Sequence, residues 1–462
     1  MMIDDACQVV NGVAAAPGQS RRRFRGVSVD TRTLKPRNAF FCLVGEHSDG
    51  HRFVPEAVRL GAGAVVAERG RIKENWRRLG VPVIGVDDPL TALGDLAAEY
   101  RRWFPTRFVA VTGSVGKTTT KELIAAALAA RYDVFKSPGN YNTLIGIPLA
   151  LLARTLRPAH DQRLGVLELG MSTPGEIARL TKIVDPEWGV VTRIGAAHLL
   201  QMKSIAAVAR AKRELFDHAR PALRAFLNAD DPYQRRWMAR WRRATTTYAL
   251  ERDADFTADA ITSEPGGVRF RVNRRHLCRL RLAGEYNVPN ALAALAVGRS
   301  FRIPWDEMIP RLGRVRPVGD RSRLVRLGGV TIINDCYNAN PTSTIAALAS
   351  LRRRPADGRR IAVLGAMREL GTGSDEWHAR VGRLSNGLDW VVTVGSGAGA
   401  YRRGIPKTVP QTHCPRVPDA VRLLTKKLVP GDTVLIKASR AEGLDEITSR
   451  LSDTLEARSE RP

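Results

Sequence analysis

VTGSVGKTTTKELIAAAL, residues 111–128, reads as a phosphate-gripping loop that runs straight into a helix. The apolar run Phe108–Val111 before it has the look of a buried strand, and the residues after Lys117 have helical spacing. The usual phosphate loop is G-x-x-x-x-G-K-[ST]. Here Gly116, Lys117 and Thr118 fill the last three places, but Val111 falls where the first glycine belongs and Thr112-Gly113-Ser114 stand instead. The chemistry survives the trimming. Backbone N–H groups from Gly113 through Ser114 and Val115 to Gly116 are placed to face phosphates. Lys117 reaches the outer ones, Thr118 offers a hydroxyl to Mg²⁺, Thr119 follows on the same turn, and the helix aims its positive end at the anion. Strand, loop and helix in this order predict binding of a nucleoside triphosphate; the rival reading is a glycine turn with a surface lysine.

Working outward, the chain divides into three α/β blocks. Residues 1–107 carry short apolar runs at 39–44, 62–67 and 81–86, separated by Gly, Pro and Asp, as in a small α/β unit. Residues 108–313 alternate strand, loop and helix; FVAVTG, GVLELG (165–170) and WGVVTRIG (188–195) are buried-strand candidates, which predicts a mostly parallel, doubly wound sheet. Residues 314–462 alternate again through VTIINDC, RIAVLGA, WVVTVGS and DTVLIKAS, a Rossmann-like pattern. A chain of 462 residues is too long for one core, which agrees with several domains.

Composition excludes several classes. Hydrophobic residues are 44% and charged residues 26%, ordinary for a globular protein. The longest apolar stretch, LIGIPLALLA at 144–153, contains Pro148 and falls well short of the roughly eighteen residues of a membrane span. The start, MMIDDACQVV, lacks the basic residues of a secretory signal. Cys7, Cys42, Cys278, Cys336 and Cys414 lie far apart with no CxxC pair, so a disulfide framework or zinc site is not expected and a cytoplasmic location is. With 73 basic and 46 acidic residues the net charge is +27. The basic residues are spread out, in short clusters at 21–23, 235–236, 242–243 and 352–354, and no nucleic-acid-binding signature accompanies them. The expectation is a basic surface that attracts small anions, with no dedicated nucleic-acid binding.

The trimmed loop T-G-[ST]-x-G-K-T resembles that of the Mur ligase superfamily, and further motifs follow in that family's order: SPGNYNTLIGIPLALL (137–152), ELGMSTPGEI (168–177), HLLQMKSIAAVARAKRELF (198–216) and AGEYNVPNALAALA (283–296). NDCYNANPTS (334–343), LGAMRELG (364–371), His378 and KASR (437–440) resemble the branch that adds D-alanyl-D-alanine to UDP-N-acetylmuramoyl-tripeptide. The first block, VSVDTRTLKPRNAFFCLVGEHSDGHRFVPEAVRLGAGAVV (27–66), resembles that family's UDP-binding domain.

The resemblance implies roles. ATP and Mg²⁺ are the expected cofactors, and a monomer the expected state. Lys117 would draw charge from the phosphates, with Thr118, Glu168 and His198 near magnesium. Lys212 would be carbamylated, which needs a neutral amine; its sequence neighbours Arg210 and Arg213 are the expected source of a lowered pKa. Asn290, with Asn287, would meet adenine, Asp335 the ribose or a water, and Arg321 would reach the phosphates from the third block. Ser28, Asp30, Thr31 and Arg32 would contact uridine and diphosphate, joined by His47 and His51. Asn142 would lie near the acceptor, while Tyr337, Asn338, Asn340 and Pro341 would shape the dipeptide pocket. Three positions depart from the pattern: Ala197 where Glu is common, Ala366 in place of an acid, and Ala438 in place of glycine. The competing readings are another Mur-type amino-acid ligase and a non-catalytic nucleotide-binding relative.

Overall fold

Each α/β block builds its own sheet. The computed structural model describes residues 1–14, 22–153, 163–239 and 244–459; Arg21 of the first basic cluster and the pair at 242–243 lie outside the described residues. The first sheet runs Val13–Ala14, Val83–Val86, Ala64–Glu68, Ala39–Phe41, Val27–Ser28, parallel except for the first strand. The second has nine strands, with Arg107–Thr112 flanked by Trp188–Val191 and Arg163–Glu168. The third orders Arg323–Leu327, Val330–Asp335, Thr433–Lys437, Arg360–Leu364, Trp390–Val394 and Gln411–Cys414.

The strands anticipated from apolar runs are present because both of their faces are covered. In Arg107–Thr112 every residue but Arg107 is buried, and Thr433–Lys437 is buried throughout. Each Val, Ile or Leu hidden this way contributes about 1.5–3 kcal/mol. Several helices begin at an Asx-Pro step: Asp88 caps Pro89–Arg102, Asp231 caps Pro232–Met238, and Asn340 caps Pro341–Arg353. The side chain satisfies orphan N–H groups while proline sits where no donor is needed.

The middle sheet carries one feature that apolar runs did not announce. Phe256–Glu264, Gly267–Val272 and His276–Leu280 form an antiparallel meander at its edge, their alternating burial marking one wet face. WGVVTRIG is also strand only through Val191; residues 192–195 form a loop.

The third block is seated on the second. One hydrophobic cluster runs without a break from Leu167 and Val191 to Leu348, Leu364 and Leu435. Arg353 pairs with Glu285 at 2.7 Å, Arg354 donates to the Pro265 carbonyl at 2.8 Å, and the Tyr286 and Ser322 hydroxyls meet at 2.7 Å. All five cysteines are free, and among the described residues no helix is long and apolar enough to cross a membrane.

Candidate active site

The carboxyl ends of the parallel strands of the middle sheet point to one crevice, the usual ligand position in such folds. The loop leaving Arg107–Thr112 turns through two glycines in the left-handed region, Gly113 at φ 144° and Gly116 at φ 88°. A Cβ on Gly113 would strike the Thr192 hydroxyl, and one on Gly116 would strike Asn290 Oδ1. Thr192 Oγ1 donates to the Val115 carbonyl at 2.6 Å, and Ser114 Oγ bridges the Gly195 N–H and carbonyl at 3.1 Å. The loop is therefore shaped by its neighbours before any ligand arrives. Gly116→Ala is expected to cost about 1–3 kcal/mol of stability and to weaken nucleotide binding about tenfold or more. Thermal melting and a nucleotide titration measure the two, and an unaltered affinity would contradict this account of the loop.

Lys117 is half-buried, and its Nζ donates to the Gly113 carbonyl at 3.0 Å. Burial lowers its pKa and Arg321 adds to that, while Glu168 and Glu369 oppose it. Thr118 Oγ1 donates to Glu168 Oε2 at 2.6 Å, and Asn142 Nδ2 donates to Glu168 Oε1 at 2.8 Å. Glu168 is only 3% exposed, beside Val111 in the ladder, so the hydroxyl and carboxylate sit where the phosphate loop begins. Such a pair of oxygen donors suits a hard divalent cation. Among the described residues no cluster of three or more His, Cys, Asp or Glu side chains holds a metal unaided, so the fit rests on these oxygens and on what joins them.

Lys212 joins them from the helix Ile205–Asp217. It is 1% exposed, and among the described residues its Nζ has no hydrogen-bond partner. Its pKa falls well below the lysine norm through burial first and the Lys117 ammonium second, against Glu168, Glu176 and Glu214. The expected source was wrong: Arg210 is exposed, and Arg213 is paired with Asp217 at 2.9 Å on the outer face. The crowding comes across the crevice, because residues adjacent in a helix point in different directions. His198 stands at φ 54° in the turn leading to that helix, with Nδ1 2.6 Å from Glu369 Oε2.

From the third block come Arg321 and its surroundings. Its guanidinium lies 3.4 Å from the Tyr337 ring centroid, with Arg440 at 5.5 Å. A narrow crevice, lined by Thr119, Asn287, Val315, Pro317, Arg321 and others, separates this arginine from the helix after the phosphate loop. Asn290 packs on Gly116 and donates to Asn287 Oδ1 at 3.2 Å, so of the two it is Asn287 that lines the crevice. Asp335 receives Lys437 Nζ at 2.6 Å and the Ser322 N–H at 3.0 Å, so its carboxylate already has protein partners. The YNANP string divides in two. Tyr337, half-buried under Arg321, and exposed Asn338 follow the strand end, whereas Asn340 accepts the Ser343 N–H at 2.9 Å and buried Pro341 follows it, so both build the helix cap.

In the first block Ser28 is buried and donates to the Asp30 carbonyl at 2.8 Å, Thr31 Oγ1 reaches Glu56 at 3.2 Å, and Arg32, 86% exposed, folds onto Asp30. That guanidinium holds the Asp30 carboxyl below its usual range. His47 is exposed on a loop. His51 is structural: its ring is locked between Asp49 at 2.7 Å and the Glu68 N–H at 3.2 Å and stacks on Trp76.

Profiles of the Mur ligase middle domain, the Mur ligase glutamate ligase domain and the Mur ligase family catalytic domain match residues 111–298, 320–440 and 23–101. The UDP-N-acetylmuramoyl-tripeptide–D-alanyl-D-alanine ligase of Synechocystis is 37% identical over 438 residues, 93% of this chain and 92% of its own. The chain belongs to the Mur ligase family. This Mur ligase is 33% identical to the Bacillus subtilis enzyme of the same name, over 98% of each chain. The MurF ligase of Thermotoga maritima, solved in complex with ADP, is similar at a TM-score of 0.83 and 30% identity, covering 95% of this chain and 98% of its own.

The structure also places functional candidates in this Mur ligase that its motifs had not singled out. Lys121, one turn beyond Lys117 and fully buried, donates to the Ser137 carbonyl at 2.7 Å, and Ser137 Oγ receives the Glu168 N–H at 3.3 Å. A lysine four residues after the loop lysine was the available signal. Thr342 Oγ1 takes the Ala196 N–H at 3.1 Å, linking the third block to the loop that braces Ser114. Two of the departures have a packing account. An added Cβ on Gly365 would stand 2.7 Å from that of Ala438, and one on Gly397 would stand 2.9 Å from that of Ala366, so each alanine occupies space a glycine leaves. Ala197 is buried and nothing in the structure explains it.

Proposed function

We propose that this Mur ligase joins D-alanyl-D-alanine to UDP-N-acetylmuramoyl-tripeptide with hydrolysis of ATP to ADP, at the cytoplasmic stage of peptidoglycan precursor synthesis. The observation that carries the reading is the buried Thr118–Glu168 pair at the phosphate loop, faced by Lys117 and by Lys212 from separate stretches of the chain.

Making an amide from a carboxylate requires activation. The terminal carboxylate oxygen of the tripeptide attacks the γ-phosphorus, the bond to the β-phosphate oxygen breaks, and ADP leaves. The amine of D-alanyl-D-alanine then attacks the acyl carbon, loses a proton, and phosphate departs from the tetrahedral intermediate. Most of the catalytic work is positioning and charge neutralisation. Lys117 would exchange its Gly113 carbonyl for phosphate oxygens, and Arg321 would approach the same phosphates from the third block. Mg²⁺, held by Thr118, Glu168, His198 and modified Lys212, would supply neutralisation of phosphoryl charge. Lys212 is suited to its modification: burial and the Lys117 ammonium favour its neutral amine, whose nitrogen lone pair would bond to the carbon of CO₂ with release of a proton, placing an anion beside Lys117. Residues 1–107 would hold the UDP-sugar peptide through Ser28, Thr31 and Arg32, residues 108–313 the nucleotide, and residues 314–462 the dipeptide near Tyr337 and Asn338.

The test is ADP release by purified protein with UDP-N-acetylmuramoyl-tripeptide. D-alanyl-D-alanine is expected to stimulate it, and diaminopimelate, lysine or glutamate to leave it unchanged. Lys117→Ala is expected to lower kcat about 10²–10³-fold. Stimulation by a single amino acid instead would assign the chain to another branch of the family.

A further inference from the structure

Among the charged groups around the crevice, Glu369 follows the third-sheet strand Arg360–Leu364, yet it grips the turn that carries His198. Its Oε2 lies 2.6 Å from His198 Nδ1, off the ring N–H direction, so the carboxylate abuts that face of the ring without an aligned hydrogen bond. Its carbonyl accepts the Leu200 N–H at 2.9 Å, so one residue holds the turn by backbone and side chain together. Gly371 closes over the same turn: a Cβ there would stand 3.4 Å from Leu200 Cα. Both Glu369 (φ 63°) and His198 (φ 54°) occupy the left-handed region, which non-glycine residues keep only where their surroundings impose it. Glu369 also acts on Lys117 from across the crevice.

When one ring nitrogen of a histidine is engaged by a carboxylate, the other is the nitrogen left to bind a metal, and such a partner fixes the ring. We propose that Glu369 is a positioning residue for the cation site: by holding Nδ1 it leaves His198 Nε2 for the divalent cation, so the site is complete only while the third domain is seated on the second. This rests on the ATP- and Mg²⁺-dependent reading above and adds to it a residue and a dependence between domains. Cation capture and domain seating then become one event, because the third domain supplies the group that sets a metal ligand on the second.

The experiment uses the full chain, Mn²⁺ in place of Mg²⁺, and a non-hydrolysable ATP analogue, with bound Mn²⁺ counted by electron paramagnetic resonance. Glu369→Ala is expected to weaken Mn²⁺ binding about tenfold or more, and Glu369→Gln, which keeps the shape of the side chain but not its charge, to weaken it less. Metal-free nucleotide affinity should not fall below that of the wild type, since removing an acid near Lys117 does not weaken its hold on phosphate, and Glu376→Gln, an exposed carboxylate nearby, should change nothing. Wild-type Mn²⁺ affinity in Glu369→Ala overturns the proposal. So does an equal loss of nucleotide affinity without metal, which would make the contact a simple staple between domains. If the wild-type protein itself takes up no Mn²⁺ with nucleotide, the functional reading fails first and this inference with it.

Discussion

Replacing Lys212 by methionine is expected to cripple ligation while making the folded protein more stable at neutral pH. The side chain is buried and, among the described residues, its amine has no hydrogen-bond partner, a combination that stability alone would not retain. Burial and Lys117 push its pKa well down in the fold, whereas in the unfolded chain it returns to about 10.4. Between those two values the unfolded state binds more protons than the native state, so stability rises with pH and reaches its full value only above the unfolded pKa. At neutral pH the native state therefore carries a penalty. Methionine fills a similar volume without an amine to satisfy, and the gain should be on the order of 1–3 kcal/mol. Urea denaturation in CO₂-depleted buffer across roughly pH 6–10 reads this directly: Lys117 gives both proteins some rise with pH, and the wild-type midpoint should climb more steeply than the variant's. Parallel curves for the two proteins would sink the argument.

The same substitution should lower kcat about 10²–10³-fold, since a thioether cannot become a carbamate. Greater stability with lost activity is the signature of a group kept for chemistry.

What the sequence disclosed and what it withheld follow from range. FVAVTG and DTVLIKAS announce themselves because a strand buried on both faces must be apolar throughout, and the glycine spacing at 113–116 announces a loop because only that backbone can turn there. The edge meander at 256–280 was missed because its strands alternate, with Arg271 and Arg279 on the wet face, and short alternating runs are easily lost among loops. Site residues defined by their own motif, such as Lys117, Thr118 and Glu168, lie together. Those defined by a contact across the fold did not show. Nothing near Lys212 in the chain points to Lys117, and nothing near His198 points to Glu369. Asn340 illustrates the reverse: N-P-T-S is a strong local signal, but what it encodes is a capping box. The family pattern marked the residue, and only its hydrogen bond says why.

Glu168→Gln is the second large effect expected, and it isolates charge from shape. The carboxylate receives one hydrogen bond from the Thr118 hydroxyl and one from the Asn142 amide. A glutamine can serve both, its oxygen toward Asn142 and its NH₂ toward Thr118 Oγ1, because a hydroxyl accepts as readily as it donates. No buried polar atom is orphaned, so the melting temperature should stay within a degree or two of wild type, the range of about ±0.5 kcal/mol seen for substitutions that break no such feature. What disappears is the negative charge that faces Lys117 and Lys212 and that a hard cation would require. The fall in kcat should be about 10²–10³-fold at saturating substrates, with a higher Mg²⁺ concentration needed for half-maximal rate. If kcat instead stays within about threefold of wild type, under 1 kcal/mol of barrier, then Glu168 holds Thr118 and Asn142 in place and does nothing for the phosphates.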